Sequence, residues 1–292
     1  MKPAPFEYFA PTSIAEALEF LRRWGSDAKV LSGGQSLMPM LGFRLLKPAA
    51  LVDINPIGEL AFIRRDDSGL TVGAGTRQSN VLASPEVASG CGLITEALAF
   101  VSHPAIRNRG TIGGSVAHAD PSAELAVAAA ATEAQMNLQN AQGVRTVSAE
   151  DFFIDALTTA LEPDELLTEI RFPAPLGRTG WSFQEVSRRR GDFAVVNAAA
   201  LVTLAEDGRC QQARVVVGGV SGVPLRLGSV EASLVNTTLA PGTLATTAEQ
   251  IKDGLNPHSD VHASAEYRRD VAGVLVRRAL ETAFARAEAA TA

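Results

Sequence analysis

The chain of 292 residues reads as an α+β protein. Three observations predict that class. Short apolar strands and a helix alternate near the N-terminus. A polar-turn hairpin and a proline-stopped strand lie in the middle. Long strands followed by helices fill the last third. The expected division is a small α/β unit at residues 1–57, a second α+β unit at 58–177, and a C-terminal domain at 178–292. That last domain should hold a three-stranded antiparallel sheet and helices.

Each element has its own signal. Thr12-Ser13 is a good N-cap for a helix over residues 14–24, where Ile14, Ala17, Leu18 and Leu21 keep helical spacing, and Gly25 ends it. Residues 28–31 are a short strand running into Gly33-Gly34, 37–41 a helical turn, and 50–54 a second buried strand. Further on, residues 70–74 predict a strand and 92–101 a helix. Asp120-Pro121 predicts the start of an alanine-rich helix over 122–132, with proline at the first helical position. Residues 136–138 and 144–147 pair as a hairpin, and 166–172 is a strand stopped by Pro173 and Pro175. Those prolines, with Gly177 and Gly180, put a boundary near residue 177. Residues 181–188, 194–204 and 213–217 make the antiparallel sheet, with Glu206-Asp207-Gly208 turning between the second and third strands. A long helix over 267–290 closes the chain.

Composition excludes several function classes. The formal net charge of −6 argues against a nucleic-acid backbone as main partner. Arg188-Arg189-Arg190, the one dense basic run, reads as a solvated face or as a surface for a phosphate or an acidic partner. Cys91 and Cys210 cannot ligate an iron–sulfur cluster, which needs about four thiolates. They read as buried free thiols in a reducing compartment. His103, His118, His258 and His262 have no zinc-ligand spacing. No nucleophile elbow is found. The N-terminus lacks an apolar signal region, and the longest apolar run, 125–131, is far short of the roughly 20 residues of a membrane span. A soluble, cytoplasmic protein is expected.

Two glycine pairs carry the most information. One lies in Leu31-Ser32-Gly33-Gly34-Gln35-Ser36-Leu37, the other in Gly110-Thr111-Ile112-Gly113-Gly114-Ser115. Glycine allows positive φ and close approach of the backbone to a ligand, and successive exposed N–H groups form an anion-binding concavity. The first is neither a P-loop nor a Gly-x-Gly-x-x-Gly fingerprint. On its own it also reads as a tight strand–helix connection. Glu124, in a first helical turn, has a structural reading through the helix dipole and a functional one as acceptor from ribityl or ribose hydroxyls. Taken together, the two pairs read as two walls of one pyrophosphate site.

These residues carry a resemblance. The stretch from Ala28 to Leu37 and the stretch from Arg107 to Ser115 resemble the two FAD-binding motifs of the FAD-binding medium subunits of molybdenum hydroxylases. Ala117-His118-Ala119-Asp120-Pro121 through Glu124-Leu125, and Arg189-Arg190-Gly191-Asp192-Phe193-Ala194, are similar to further stretches of that family, and the likeness runs from end to end. It implies the vanillyl-alcohol-oxidase type of FAD fold (PCMH-like), two α+β subdomains clasping the flavin, with a third domain following. It places Ser32, Gly33, Gly34, Gln35, Ser36 and Leu37, with Thr111, Ile112, Gly113, Gly114 and Ser115, against the FAD pyrophosphate and ribityl chain. Glu124 falls where the family has an acidic residue near the cofactor, and Leu167 or Thr168 near a backbone contact to the ring system. Where some members have lysine or tyrosine near the isoalloxazine, this chain has Gln184, Glu185 and Phe193, and no ring contact is assigned there.

The resulting expectation is an oxidoreductase subunit that relays electrons. The resemblance implies a large molybdopterin-binding subunit and a small subunit with [2Fe-2S] clusters as partners, in a dimer of heterotrimers. Electrons would reach FAD on this chain and pass to an external acceptor. No catalytic acid–base residue and no metal ligand is expected here. One alternative is a self-contained FAD-dependent oxidase or reductase of the same fold superfamily. Another is a nucleotide- or phosphosugar-binding module. The missing acid–base set and the scarcity of aromatics argue against the self-contained oxidase.

Overall fold

The computed structural model describes residues 2–238 and 241–290. The first unit holds β1 (Glu7–Phe9), α1 (Ile14–Trp24), β2 (Ala28–Leu31), α2 (Leu37–Gly42) and β3 (Ala50–Asp53). Its three strands are parallel, in the order β1-β3-β2. Ser13 caps α1 by accepting the Glu16 N–H, and Gly25, at φ 51°, ends it. The buried stripe Ala17, Leu18 and Leu21 packs with Val52 and Ile54 of the sheet side. Side chains such as Leu21, at 2% exposed, each contribute about 2 kcal/mol of burial.

The second unit follows with β4 (Ile63–Asp66), β5 (Gly69–Gly73), α3 (Gln78–Ala83), α4 (Pro85–Gly90), α5 (Gly92–Phe100), α6 (Pro104–Arg107), α7 (Ile112–His118) and α8 (Glu124–Ala131). It continues with β6 (Gln135–Asn140), β7 (Gly143–Ser148), α9 (Ala149–Phe152), β8 (Phe153–Asp155), β9 (Thr158–Thr159) and β10 (Leu166–Pro173). The main sheet is antiparallel, ordered β4-β5-β10-β6-β7. The predicted hairpin is β6–β7. α8 begins two residues later than expected. The Asp120 carboxylate takes the Ser122 N–H and the Asp120 carbonyl takes that of Ala123. Pro121 therefore belongs to a turn before the helix, and Glu124 is its first residue. α8 is apolar nearly all round because it is buried on every side.

The last unit comprises β11 (Arg178–Ser187), β12 (Ala194–Leu204), β13 (Cys210–Gly218), β14 (Leu225–Arg226), α10 (Gly228–Leu234), α11 (Pro241–Gly254) and α12 (Ala265–Ala289). The expected three-stranded sheet has a fourth strand, the two-residue β14, at its edge. β12 is buried on both faces. Ala199 joins the core beneath α8, whereas Ala198 and Ala200 join the core beneath α12, as a two-residue period requires. α12 lies so close to β11 that a Cβ on Gly180 would meet the Ala283 carbonyl oxygen at 2.0 Å. Cys210 is buried and Cys91 partly exposed; both are free thiols, so only the first matches the buried reading. Among the described residues no helix is long and apolar enough to cross a membrane.

Candidate functional site

The first glycine motif is the loop between β2 and α2. Of its two glycines only Gly34 has positive φ, at 71°. Gly33 serves close approach instead. A Cβ there would lie 2.5 Å from the Arg109 carbonyl oxygen and 2.7 Å from Gly110 Cα. Among the described residues the N–H groups of Gly33, Gly34, Gln35 and Ser36 have no protein acceptor. The Gln35 side chain folds back, its Nε2 donating to the Gly33 carbonyl at 2.8 Å. Leu37 is the first residue of α2.

The second motif differs from the turn that its sequence predicts. Thr111 is the N-cap of α7, and Ile112, Gly113, Gly114 and Ser115 form the helix's first turn. None of these glycines has positive φ. The N–H groups are already engaged: Ile112 with Thr76 O at 3.0 Å, Gly113 with Ala74 O at 2.9 Å, Gly114 with Thr111 Oγ1 at 3.0 Å, Ser115 with Thr111 O at 3.2 Å. Gly113 is glycine because a Cβ would strike Ala74 Cβ at 2.3 Å. The second motif therefore acts as a brace, and the free donors belong to the first.

The two motifs meet. Ser32 Oγ and Thr111 Oγ1 share a hydrogen bond of 2.8 Å across 79 residues of sequence. A small network, not expected from the sequence, locks the junction. Asn55 Nδ2 donates to the Ser32 carbonyl at 2.8 Å, and Arg77 Nη2 donates to Asn55 Oδ1 at 2.7 Å. Arg77 Nη1 donates to the Arg109 carbonyl. Burial, and then the neighbouring Arg109 charge, lower the Arg77 guanidinium from its ordinary value. Four N–H groups without a protein acceptor, with the Arg77 guanidinium held beside them through Asn55, thus gather on one loop, an arrangement that favours an anion.

Leu167 is buried on β10, beside a bulge against β6, and the neighbouring Thr168 carbonyl accepts the Ala74 N–H at 2.9 Å. Through Ala74 it is one step from Gly113. Glu124 sits at the start of α8, 7% exposed, and burial pushes its carboxyl up to about 7. Glu185 of β11 is pushed up to about 8 by burial and then by the Glu124 charge. Asn197, opposite Glu185 on β12, is fully buried. Among the described residues Glu185 Oε2 and Asn197 Oδ1 are buried without a hydrogen-bond partner. Neither Asn55, Arg77 nor Asn197 has a local sequence signal, because strand pairing and loop contacts bring them in. Arg188, Arg189 and Arg190 are exposed, and Gly191 rests on the His103 ring.

Comparison with known proteins agrees with this architecture. Residues 4–175 match the family described as FAD binding domain in molybdopterin dehydrogenase, and residues 181–283 match the CO dehydrogenase flavoprotein C-terminal domain. The chain is 40% identical to the 6-hydroxypseudooxynicotine dehydrogenase complex subunit alpha of Paenarthrobacter nicotinovorans, over 98% of this chain and 97% of that one. It is 37% identical to the carbon monoxide dehydrogenase medium chain of Hydrogenophaga pseudoflava, over 98% and 99%. A solved structure of that carbon monoxide dehydrogenase superposes with a TM-score of 0.94, covering 98% of this chain and 99% of the other. Quinoline 2-oxidoreductase from Pseudomonas putida 86 gives 0.93 at 38% identity, covering 98% and 99%.

Proposed function

Because the chain belongs to the FAD-binding medium subunits of molybdenum hydroxylases, we propose that it is the flavin-holding electron relay of such a complex. The observation that carries this reading is the Ser32–Thr111 contact, which brings the second motif against a loop with four unengaged N–H groups. The residues fit FAD. The N–H groups of Gly33, Gly34, Gln35 and Ser36 would hold pyrophosphate oxygens, with Arg77 and Arg109 supplying positive charge nearby. Thr111 and Ser115 would border the same phosphates, and Ile112, Gly113 and Gly114 let the brace helix come close. Glu124 would accept from the polyol hydroxyls. Leu167 and Thr168 would face the ring end.

When bound, FAD supplies an acceptor for two electrons that can exchange them singly, here from the [2Fe-2S] clusters of a partner subunit to an external acceptor. This chain's own residues bind and orient it, and burial around Glu124 keeps water from that side. Substrate would be hydroxylated at a molybdopterin centre on the large subunit, so this chain needs no acid–base set of its own. The assembly we propose is a dimer of heterotrimers in the cytoplasm. On this reading residues 1–57 and 58–177 clasp the flavin and residues 178–292 follow as a third domain.

The test is to purify the chain from its native host, release the cofactor with acid and identify it. Recovery of FAD, with a large and a small chain co-purifying, is the expected result. A chain without flavin absorbance that takes up no added FAD would defeat the reading. Turnover of a small organic substrate by the isolated, flavin-loaded chain would favour the self-contained oxidase.

A further inference from the structure

Backbone N–H groups make a selective anion site only when their peptide planes are held in place. A trans peptide unit is planar, and its C=O and N–H point in opposite directions. Holding the carbonyl therefore aims the N–H of the same unit the other way. In the loop between β2 and α2, three consecutive units are held like this. The Ser32 carbonyl accepts from Asn55 Nδ2 at 2.8 Å, and the Gly33 carbonyl from Gln35 Nε2 at 2.8 Å. The Gly34 carbonyl accepts the Met38 N–H at 3.1 Å. The N–H groups of these units belong to Gly33, Gly34 and Gln35, which have no protein acceptor among the described residues. α2 supplies the third restraint from its own backbone. The first two come from side chains.

Asn55, two residues after β3, uses both ends of its amide. Nδ2 donates to Asp53 Oδ1 as well as to the Ser32 carbonyl, and Oδ1 accepts from Arg77 Nη2 at 2.7 Å. Turned over, the amide would set its oxygen against the Ser32 carbonyl and its NH2 against the guanidinium, acceptor to acceptor and donor to donor. Arg77 thus fixes which end meets the loop. It is itself tied to the second motif, by its bond to the Arg109 carbonyl and by the backbone bridge between Arg77 and Thr111. Asp53 is held from the other side by the Tyr8 hydroxyl at 2.6 Å, and its Oδ1 also takes the Asn55 N–H at 3.0 Å. One chain of hydrogen bonds therefore runs from β1 through Asp53 and Asn55 to the start of α3, with the glycine loop attached at its centre.

We propose that the side chains of Asn55 and Gln35 are positioning groups for FAD: by holding the Ser32 and Gly33 carbonyls, they aim the Gly33 and Gly34 N–H groups at the cofactor's pyrophosphate before it arrives. The proposal rests on the reading that FAD occupies this loop. Both side chains act through the backbone, so neither has to touch the cofactor. Donors fixed in advance lose little freedom when the anion binds, and the saving appears as affinity. A hydrogen bond at the carbonyl also polarises its peptide unit, which strengthens the N–H of that unit as a donor.

The test uses the full chain freed of flavin and two variants, Asn55→Leu and Gln35→Met, which keep the size of each side chain and remove its donors. Asn55 is exposed and Gln35 only partly buried, so neither change disturbs a core, and thermal unfolding checks that the variants fold. FAD affinity is read by flavin fluorescence, the pyrophosphate by phosphorus NMR of the bound cofactor, and the ring by its visible absorbance. The expected result is a Kd raised at least about threefold in each variant, the scale of one net hydrogen bond. The phosphorus resonances should move from their wild-type positions while the ring band stays. A general loosening of the fold would not single out the phosphates. Phosphorus resonances unmoved in the folded variants, or a Kd raised less than threefold in both, overturn the positioning role and leave FAD in the loop. A wild-type chain that takes up no FAD, or holds it with the phosphorus resonances of free FAD, overturns the placement of FAD itself.

Discussion

A methyl group at position 33 has nowhere to go. It would meet backbone atoms of Arg109 and Gly110 at 2.5 and 2.7 Å, and backbone cannot swing aside as a side chain can. Gly33→Ala must therefore part the two motifs. Expected outcomes are a loss of about 1–3 kcal/mol in stability, from overpacking, and a flavin-to-protein absorbance ratio well below that of the wild type. Full flavin occupancy in this variant would show that the contact between motifs is dispensable. Thr111 has two duties, since one hydroxyl caps α7 through the Gly114 N–H and also bonds Ser32. Thr111→Val keeps the shape and loses both, at a cost of about 1 kcal/mol or more by thermal denaturation, whereas Thr111→Ser should recover most of it. The residues of the motifs were legible because glycine pairs beside hydroxyls are rare local signals. The brace role of Gly113 was not, since it depends on Ala74, which arrives from β5's end only in three dimensions.

At the scale of elements, legibility followed the range of the interactions. α1 could be read from the sequence, because its cap, stripe and terminator all lie within a dozen positions. The parallel pairing of β1 and β2 on either side of β3 could not, since it joins segments about 20–40 residues apart with no turn between them. Pro121 misled because a proline after aspartate also suits a turn, and the Asp120 carboxylate captured the next free N–H. Arg268 of α12 shows how far an element can reach. It is 6% exposed, donates through Nη1 to the carbonyls of Val195 at 2.5 Å and Gly219 at 2.8 Å, and pairs through Nη2 with Asp260 at 2.7 Å. Gly219 in turn donates to the Pro121 carbonyl, just before Glu124. Arg268→Met fills similar space but leaves two carbonyls without donors. A loss of about 3 kcal/mol in urea denaturation is expected. A change under about 0.5 kcal/mol would mean that water replaces the guanidinium freely.

At the scale of the whole molecule, the middle and C-terminal units share a core. Phe183 and Val216 of the last sheet belong to the same buried cluster as Leu125 of α8 and Phe172 of β10. A charge introduced at that junction therefore acts on the stability of both units. Glu124 and Glu185 are held at about 7 and about 8 in the fold, against 4.5 for an ordinary glutamate. The folded chain thus binds their protons more tightly than the unfolded chain. Their contribution is fully present below about pH 4.5 and is lost as pH rises through 7 and 8. Asp260 has the opposite sign. The N–H groups of Ala263 and His262 hold its carboxyl down at about 2, so its contribution is present above 3.8 and lost as pH falls toward 2. From these three groups the flavin-free chain should be most stable near about pH 4.5. Urea midpoints measured from pH 5 to 9 should fall from the acid end of that range through about pH 8 and level off above it. Glu185→Gln should flatten that fall, because the neutral amide removes the second negative charge and leaves Glu124 to titrate alone. A midpoint that rises with pH across this range would place the two carboxylates in contact with cations and reverse the argument.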